Sequence, residues 1–446
     1  MAAITKLRRR PTFLHLHLPH APATDGGGRA SLRGPAATRT GIALPGSDPM
    51  NHPQGVYRIA LLFNANKVYD RQIIAGIGNY LASTRVAWDL FMEEDFRCRL
   101  TGLADWCGDG IIADFDDPKV CAALREVDVP VVAVGSSYTD ASRYPVGLPY
   151  VATDNSKLVR LGYDHLIEQG LENFAFYSMP LASSSPGWAR EREQLFDAML
   201  ARDGIKGFTY HGHATSAAGW SESTEALIAW LRSLPKPIGV LAVTDARARQ
   251  LLQACMMADI PVPDEVAIVG IDNDPLTRML SRIPLTSVQQ GTEEMGRTAA
   301  HMLHRMLHGA DCRDTRVLVA PDTLHVAASS MHQTVRSPYV MRARHYIRQY
   351  GCLGIRTEQV ADYVGISRSL LEEHFRRTLK RSVHQEILRH KLEVAQELLR
   401  GGESSMADIA VRCGFTSVQY LYTVFRRELG CTPKAFQERQ LADTRA

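Results

Sequence analysis

No stretch of this 446-residue chain approaches the roughly 18 consecutive apolar residues that a membrane-spanning helix requires, so no membrane partner is expected. The eight cysteines include no C-x-x-C pair and follow no regular spacing. That argues against a disulfide framework and for reduced thiols in a cytoplasmic protein. His301, His304 and His308 share one helical face, yet no cysteine or carboxylate stands beside them at ligand spacing; no metal and no cofactor are expected. Charge of one sign is scarce overall, at net +3, but the sum hides a gradient. Residues 1–55 hold 7 Lys/Arg against 2 Asp/Glu, residues 56–336 hold 26 against 34, and residues 337–446 hold 18 against 12. A basic C-terminal end suits phosphate contacts that release counterions. The acidic middle is a poor surface for DNA and must serve another purpose.

A chain of this length should contain two or three domains. Residues 1–55 read as a disordered extension, basic at Lys6, Arg8, Arg9 and Arg10 and then rich in Pro, Gly, Ala and Thr. Its FLHLHL cluster is too short and polar for a secretory core, and Met50 is the expected start of translation. Residues 56–328 alternate short apolar runs with amphipathic stretches. Strands are expected at Arg58–Phe63, Ala87–Met92, Gly110–Ala113, Val131–Val134, Tyr150–Ala152, Asn173–Tyr177, Gly239–Val243 and Ala267–Gly270. Helices are expected between them, as at Asp70–Ala82, Asn155–Gln169, Ala189–Arg202 and Ala246–Ala258. Such alternation predicts parallel sheets with crossover helices, here an α/β unit of two lobes.

Ligands of open parallel sheets bind beyond the carboxyl ends of the strands. Polar residues gather there: Asn64, Asn66, Asp114, Asp116, Asp154, Asn155, Asp245, Asp272 and Asn273. A sugar, uncharged and dense in hydroxyls, is the ligand such carboxylates and amides match. Phe63, Tyr69 and Trp188 are candidates to cover its C–H faces, and Arg192 to pair with a buried carboxylate that would otherwise be costly. Capping of the following helix is the competing role for each aspartate. The carboxylates of Asp114–Asp117 also raise the possibility of a glycosidase. No pair of glutamates sits at opposing strand ends, however, and the chain is read as a non-enzyme.

Residues 341–440 carry two helix-turn-helix patterns 49 positions apart, Thr357–Leu379 and Met406–Leu429. Each joins a short apolar-periodic helix to a turn at Gly365 or Gly414, then a capping residue, Ser367 or Thr416, then a second helix able to lie in a major groove. Leu370, Phe375, Phe415, Leu421 and Phe425 are expected in the core. Gln419, three residues after Thr416, fits either a base contact or a capping box. Between the patterns, Val383–Leu399 is periodic as a helix and makes a rod of roughly 26 Å, close to the ~34 Å between major-groove faces on one side of B-DNA. Residues 329–340 are the expected linker, and 441–446 a tail.

The string Ile409–Phe436, with Ile409-Ala410, Cys413-Gly414-Phe415, Phe425-Arg426-Arg427, Gly430 and Thr432-Pro433, resembles the signature of the arabinose-regulator family of transcription factors. That resemblance implies double-stranded DNA as partner and base-facing roles for Arg368, Ser369, Glu372, Val418, Gln419, Tyr420 and Thr423. Phosphate contact for Arg368 and a plain solvent-facing place for Glu372 remain open. The middle resembles periplasmic sugar-binding proteins and the ligand cores of lactose-repressor-type regulators. Through ATDN, GIDN and TSVQQG it implies sugar contacts at Asp154, Arg192, Asp245, Asp272 and Gln290, joining Asn64, Tyr69, Asp114 and Trp188. From Tyr57 to Glu438 the two together resemble a family of bacterial xylose-responsive regulators, through strings such as IALLFNANKVYDRQIIAGIG, GDGIIADFDD and GISRSLLE. This implies D-xylose as effector, a homodimer, and activation of catabolic promoters together with RNA polymerase. Another pentose as effector, or a ligand-independent architectural DNA-binding protein, is the competing expectation.

Overall fold

The computed structural model describes residues 56–93, 103, 106–181, 186–214, 216–332, 337–401 and 405–443; the expected N-terminal extension and the end of the expected tail lie outside them. In chain order the strands are β1 (Tyr57–Leu62), β2 (Trp88–Phe91), β3 (Gly110–Asp114), β4 (Val131–Ser136), β5 (Tyr150–Thr153), β6 (Phe174–Ser178), β7 (Phe208–His211), β8 (Ile238–Ala242), β9 (Val266–Ile271), β10 (Thr286–Gln289), β11 (Arg316–Val319) and β12 (Thr323–His325). They form two six-stranded sheets, ordered β2-β1-β3-β4-β5-β11 and β7-β6-β8-β9-β10-β12. Every strand pair is parallel except β10 with β12. The central strands β3, β4, β6, β8 and β9 are buried along their whole length. Parallel strands covered by helices on both faces require this, and it is why they read as unbroken apolar runs.

The helices of this part are α1 (Val68–Thr84), α2 (Pro118–Ala123), α3 (Asn155–Glu168), α4 (Gly187–Arg202), α5 (Trp220–Ser233), α6 (Asp245–Met257), α7 (Pro275–Leu280) and α8 (Thr292–Leu307). The chain passes between the sheets three times: through α3 after β5, through α8 after β10, and from β11 directly to β12. Each lobe is therefore built from separated pieces of sequence. His301 and His304 of α8 and His308 just beyond it join an aromatic cluster with Tyr57, Tyr80 and Trp88. His304 Nδ1 lies 2.6 Å from the Tyr80 hydroxyl, and His308 Nδ1 lies 2.8 Å from the His304 carbonyl.

Seven further helices follow: α9 (Pro338–Tyr350), α10 (Thr357–Val364), α11 (Arg368–Leu379), α12 (Val383–Gly401), α13 (Met406–Arg412), α14 (Val418–Leu429) and α15 (Pro433–Asp443). The helix-turn-helix pairs are α10–α11 and α13–α14, and α12 connects them. Its 19 residues span about 28 Å. One apolar face of α12 serves both cores. Val383 and Ile387 pack with Val360, Leu371 and Phe375, whereas Leu392, Ala395 and Leu399 pack with Ile409, Leu421 and Phe425.

Three expectations need correction. Leu370 is 41% exposed while Leu371 is fully buried; one residue is a 100° step on a helix, and the core faces the later one. The cap of α14 is Ser417, whose hydroxyl accepts from Tyr420 N at 3.1 Å. Gln419 is thus only the second residue of its helix and cannot close a capping box with Thr416. Ser329 and Ser330 do not belong to a linker. Both are buried in the second lobe, where Ser329 Oγ donates to the Ile268 carbonyl and Ser330 Oγ to Thr286 Oγ1, each at 2.6 Å. At the other end Pro338 already opens α9, capped by Ser337.

The C-terminal helical part is docked on the second lobe through α9. Asp264 accepts from Arg348 Nη1 at 2.7 Å and from Arg344 Nη1 at 3.3 Å, and Arg344 also reaches Glu386 of α12 at 3.2 Å. All four side chains are nearly inaccessible. Arg348 donates further to the Val262 carbonyl at 3.0 Å, and Tyr363 donates to Asp259.

The two turn glycines differ in a measurable way. Gly365 (φ +82°) has open space where a Cβ would stand, but at Gly414 (φ +67°) a Cβ would lie 2.1 Å from the Cys352 carbonyl oxygen. Gly365→Ala should cost about 1–2 kcal/mol from backbone strain alone. Gly414→Ala should cost distinctly more, because the second turn must also separate from Cys352. Chemical denaturation of both variants checks this; equal losses would contradict the close approach.

Candidate functional site

The carboxyl ends of the two sheets face one crevice, and buried polar side chains converge on it from both lobes. At its centre is Arg192 of α4, only 3% exposed. Its Nε donates to Asn155 Oδ1 (2.9 Å), Nη1 to the Val243 carbonyl (2.9 Å) and Nη2 to Gln290 Oε1 (3.1 Å). Gln290 passes the link on, its Nε2 donating to Asp272 Oδ1 at 2.7 Å. The Trp188 ring stacks on the guanidinium, 4.9 Å from centroid to Cζ. Burial lowers the pKa of Arg192. Asp272 opposes that shift, as do Tyr69, Asp116 and Tyr138 from the other lobe, which lie within electrostatic reach.

Asp272 follows β9 at φ +122° and Asn273 at φ +50°. Such backbone is rare for residues with a side chain and costs on the order of 1–3 kcal/mol at each position, a strain that functional sites commonly hold. Asp245 holds this loop in place. Its Oδ2 accepts from Asp274 N at 2.7 Å and its Oδ1 from Ser287 Oγ at 2.6 Å. Burial raises the pKa of Asp245 far above the usual carboxylate range and pushes Asp272 up to about 6, although Arg192 pulls Asp272 back.

The first lobe brings Tyr69, Asp114, Asp116 and Tyr138. Lys67 Nζ donates to Asp114 at 3.1 Å, and burial keeps the pKa of Asp114 above its ordinary value. Asp116 accepts from Tyr138 OH at 2.6 Å and from Ser136 Oγ at 2.8 Å. The lobes are clasped at the rim, where Thr139 N donates to Glu191 Oε1 at 2.7 Å.

The structure thus brings Tyr69, Asp114, Trp188, Arg192, Asp272 and Gln290 to one crevice and gives other expected contacts structural partners. Both oxygens of Asp245 are occupied within the protein. Asp154 caps α3, accepting from Lys157 N at 3.0 Å, and pairs with Lys157 Nζ at 3.3 Å. Asn64 Oδ1 accepts from Asn66 N at 3.2 Å and shapes the loop after β1. Sequence reasoning missed Lys67, Tyr138 and Glu191. Asn155 and Asp116 were noted at strand ends, and their spacing alone gave no reason to rank them above their neighbours.

On the DNA-reading part, Arg368, Ser369, Gln419, Tyr420 and Thr423 are exposed at the start of α11 and α14. Arg368 pairs with Glu358. Glu372 is half-buried, and its Oε2 accepts from Val383 N at 3.3 Å, which ties α11 to the start of α12. Val418 packs partly into the second core.

A crevice between two α/β lobes followed by paired helix-turn-helix units defines a sugar-sensing, DNA-binding transcription regulator. Comparison with known proteins agrees with that class. Residues 58–156 match the XylR N-terminal domain, 163–330 the periplasmic binding protein-like domain and 360–439 a helix-turn-helix domain. The xylose operon regulatory protein of Escherichia coli K12 is 45% identical over 382 residues, covering 86% of this chain and 97% of that protein. Its counterpart in Haemophilus influenzae is 43% identical over 381 residues, covering 85% and 98%. A solved structure of the xylose-binding transcription activator xylR aligns with TM-score 0.77 at 44% identity, over 86% of this chain and 98% of that one. The lac repressor dimer bound to operator shares the fold alone, at TM-score 0.50 and 19% identity over 63% of this chain and 96% of its own. The chain belongs to the family of xylose operon regulatory proteins.

Because Ser417 supplies the cap of α14, Gln419→Ala should leave thermal stability unchanged. It should lower discrimination at one base pair by roughly 1–3 kcal/mol, measured by competition binding with point-substituted operators. Lower stability with unchanged discrimination would return Gln419 to a structural role.

Proposed function

We propose that this protein is a D-xylose-dependent activator of sugar-catabolic genes, acting as a homodimer on double-stranded DNA and recruiting RNA polymerase. The observation that carries this reading is the convergence of Tyr69, Asp116 and Tyr138 from one lobe with Arg192, Asp272 and Gln290 from the other. A pentose has no charge and a hydroxyl on nearly every carbon. Asp272 and Gln290 offer acceptors to those hydroxyls, Arg192 offers donors, and the tyrosine and tryptophan rings are positioned to cover C–H faces. Since the polar groups come from both lobes, the clasped form contacts the sugar more fully than a parted one. Only such differential affinity can shift a conformational population. A sensing role without turnover also fits the partners of the acidic cluster: Asp116 is held by a serine and a tyrosine, and Asp114 by a lysine.

The path from sugar to DNA is short. Asp272 and Asn273 lead within two residues into α7, and Arg278 of α7 lies 3.5 Å from Glu397 of α12, the rod between the two reading helices. Beside this contact the Arg344–Asp264–Arg348 cluster fixes α9 to the same lobe. A sugar that holds the 272–274 loop therefore biases how both helix-turn-helix units are presented. Arg368, Ser369, Gln419, Tyr420 and Thr423 are the proposed base-facing side chains, with Glu372 and Val418 supporting them. Asp154, Asp245 and Asn64 position the crevice.

Two outcomes are expected. Asp272→Ala should abolish xylose binding in calorimetry while basal DNA affinity stays intact; equal loss of both would mean only that the variant unfolds. The second concerns pH. The folded state holds the Asp272 proton more tightly than the unfolded chain does, so this group contributes stability that is complete below the ordinary carboxylate range and lost as the pH rises through about 6. A hydroxyl donated to the ionised carboxylate reverses that preference. Xylose affinity should then fall by up to roughly tenfold per unit as the pH drops below 6, and Asp272→Asn should flatten the profile. A wild-type profile that is flat from pH 7.5 to 5, within ordinary assay limits, would contradict a charged acceptor.

A further inference from the structure

A second crevice, about 410 Å³ in volume, opens between α7 of the second lobe and helices α9 and α12 of the DNA-reading part. The regulatory reading does not use it. Its walls are apolar at Met279, Pro284, Leu353, Val394 and Leu398, and Met279 and Leu353 remain 59% and 70% exposed. Of its four guanidinium groups, Arg278 is paired with Glu397 and Arg348 with Asp264, whereas Arg282 and Arg412 have no acidic partner among the described residues; Glu397, the one acid of the lining, also pairs with Arg400. Two buried polar atoms in this lining, Ser281 Oγ and His390 Nδ1, have no hydrogen-bond partner among the described residues. His390 is only 3% exposed, and burial pushes its imidazole down to about 3, so the ring is neutral and can donate or accept. A buried polar group left unpaired is unfavourable, and native proteins seldom keep one without a use.

We propose that this crevice binds a small aryl carboxylate. The carboxylate meets Arg282 and Arg412, Ser281 and His390 supply hydrogen bonds, and the ring lies among Met279, Val394 and Leu398. An aromatic body suits guanidinium faces, which stack on rings; Arg282 already lies over Tyr350 at 5.7 Å. The volume falls within the range of roughly 300–1,000 Å³ usual for small-molecule pockets. A ligand here touches α7 and α12 together and so bears on the contact proposed to carry the sugar signal. Binding itself does not depend on that reading.

The test is calorimetric titration of the full chain with 2-naphthoate, in parallel with neutral 2-naphthalenemethanol. One saturable site is expected for the carboxylate, with the alcohol at least roughly tenfold weaker because it lacks the charge-assisted bonds. Leu398→Trp and, separately, Met279→Trp fill the crevice and should abolish the heat while xylose binding persists. Met279 is exposed enough to take the larger ring even if Leu398→Trp disturbs folding. The proposal is overturned by absence of saturation with 2-naphthoate, by equal affinity for the alcohol, or by unchanged binding in a filled variant that still binds xylose.

Discussion

Asp264, buried between Arg344 and Arg348, is the interaction on which the rest of this molecule depends. Two lobes that close on a ligand and two helices that read DNA make a regulator only if motion in one is felt by the other. A surface ion pair contributes little and is easily screened. A desolvated cluster is different, because losing one partner strands a charge away from water at a cost of about 3–5 kcal/mol. The docking of α9 on the second lobe therefore behaves as a rigid joint. Glu386 extends it into α12, so the joint reaches the rod that spaces the reading helices.

The same logic governs the crevice between the lobes. Arg192 is buried, yet three of its five N–H groups donate to Asn155, the Val243 carbonyl and Gln290, and Gln290 in turn holds Asp272. A satisfied buried network of this kind specifies one arrangement of side chains. Asp272 is held within it on strained backbone, with Asp245 and Ser287 bracing the loop from beneath. The loop is thus positioned by the protein's own groups. It continues directly into α7, which places the crevice and the DNA-reading rod at two ends of one short segment.

Much of this was legible in the sequence, and the failures have physical causes. Central strands were found because burial on both faces demands continuous apolar runs. β7, β11 and β12 were missed because edge strands can carry Thr, Arg and His. The buried strand β10 was missed because TSVQ spends its polar groups on neighbours such as Ser329 and Asp245. Helix-turn-helix units were readable from Gly365, Gly414 and Ser367, positions where backbone geometry dictates residue type. The choice between Leu370 and Leu371, or Thr416 and Ser417, turned on a single residue of phase that periodicity does not fix. Asp154 and Asp272 both follow strands, and only three-dimensional partners separate the cap from the residue aimed into the crevice. Tyr138 and Lys67 stood in loops with no pattern around them.

The central claim is that sugar and DNA occupy coupled sites on one chain. Coupling between binding sites is reciprocal: whatever factor xylose adds to DNA affinity, saturating DNA must add to xylose affinity. The most direct measurement is xylose calorimetry on the full-length protein, free and then saturated with its own promoter DNA. The account predicts that the xylose dissociation constant tightens by the same factor by which xylose tightens DNA binding, and that both factors collapse together in Asp264→Asn. Identical xylose affinity with and without bound DNA would contradict it.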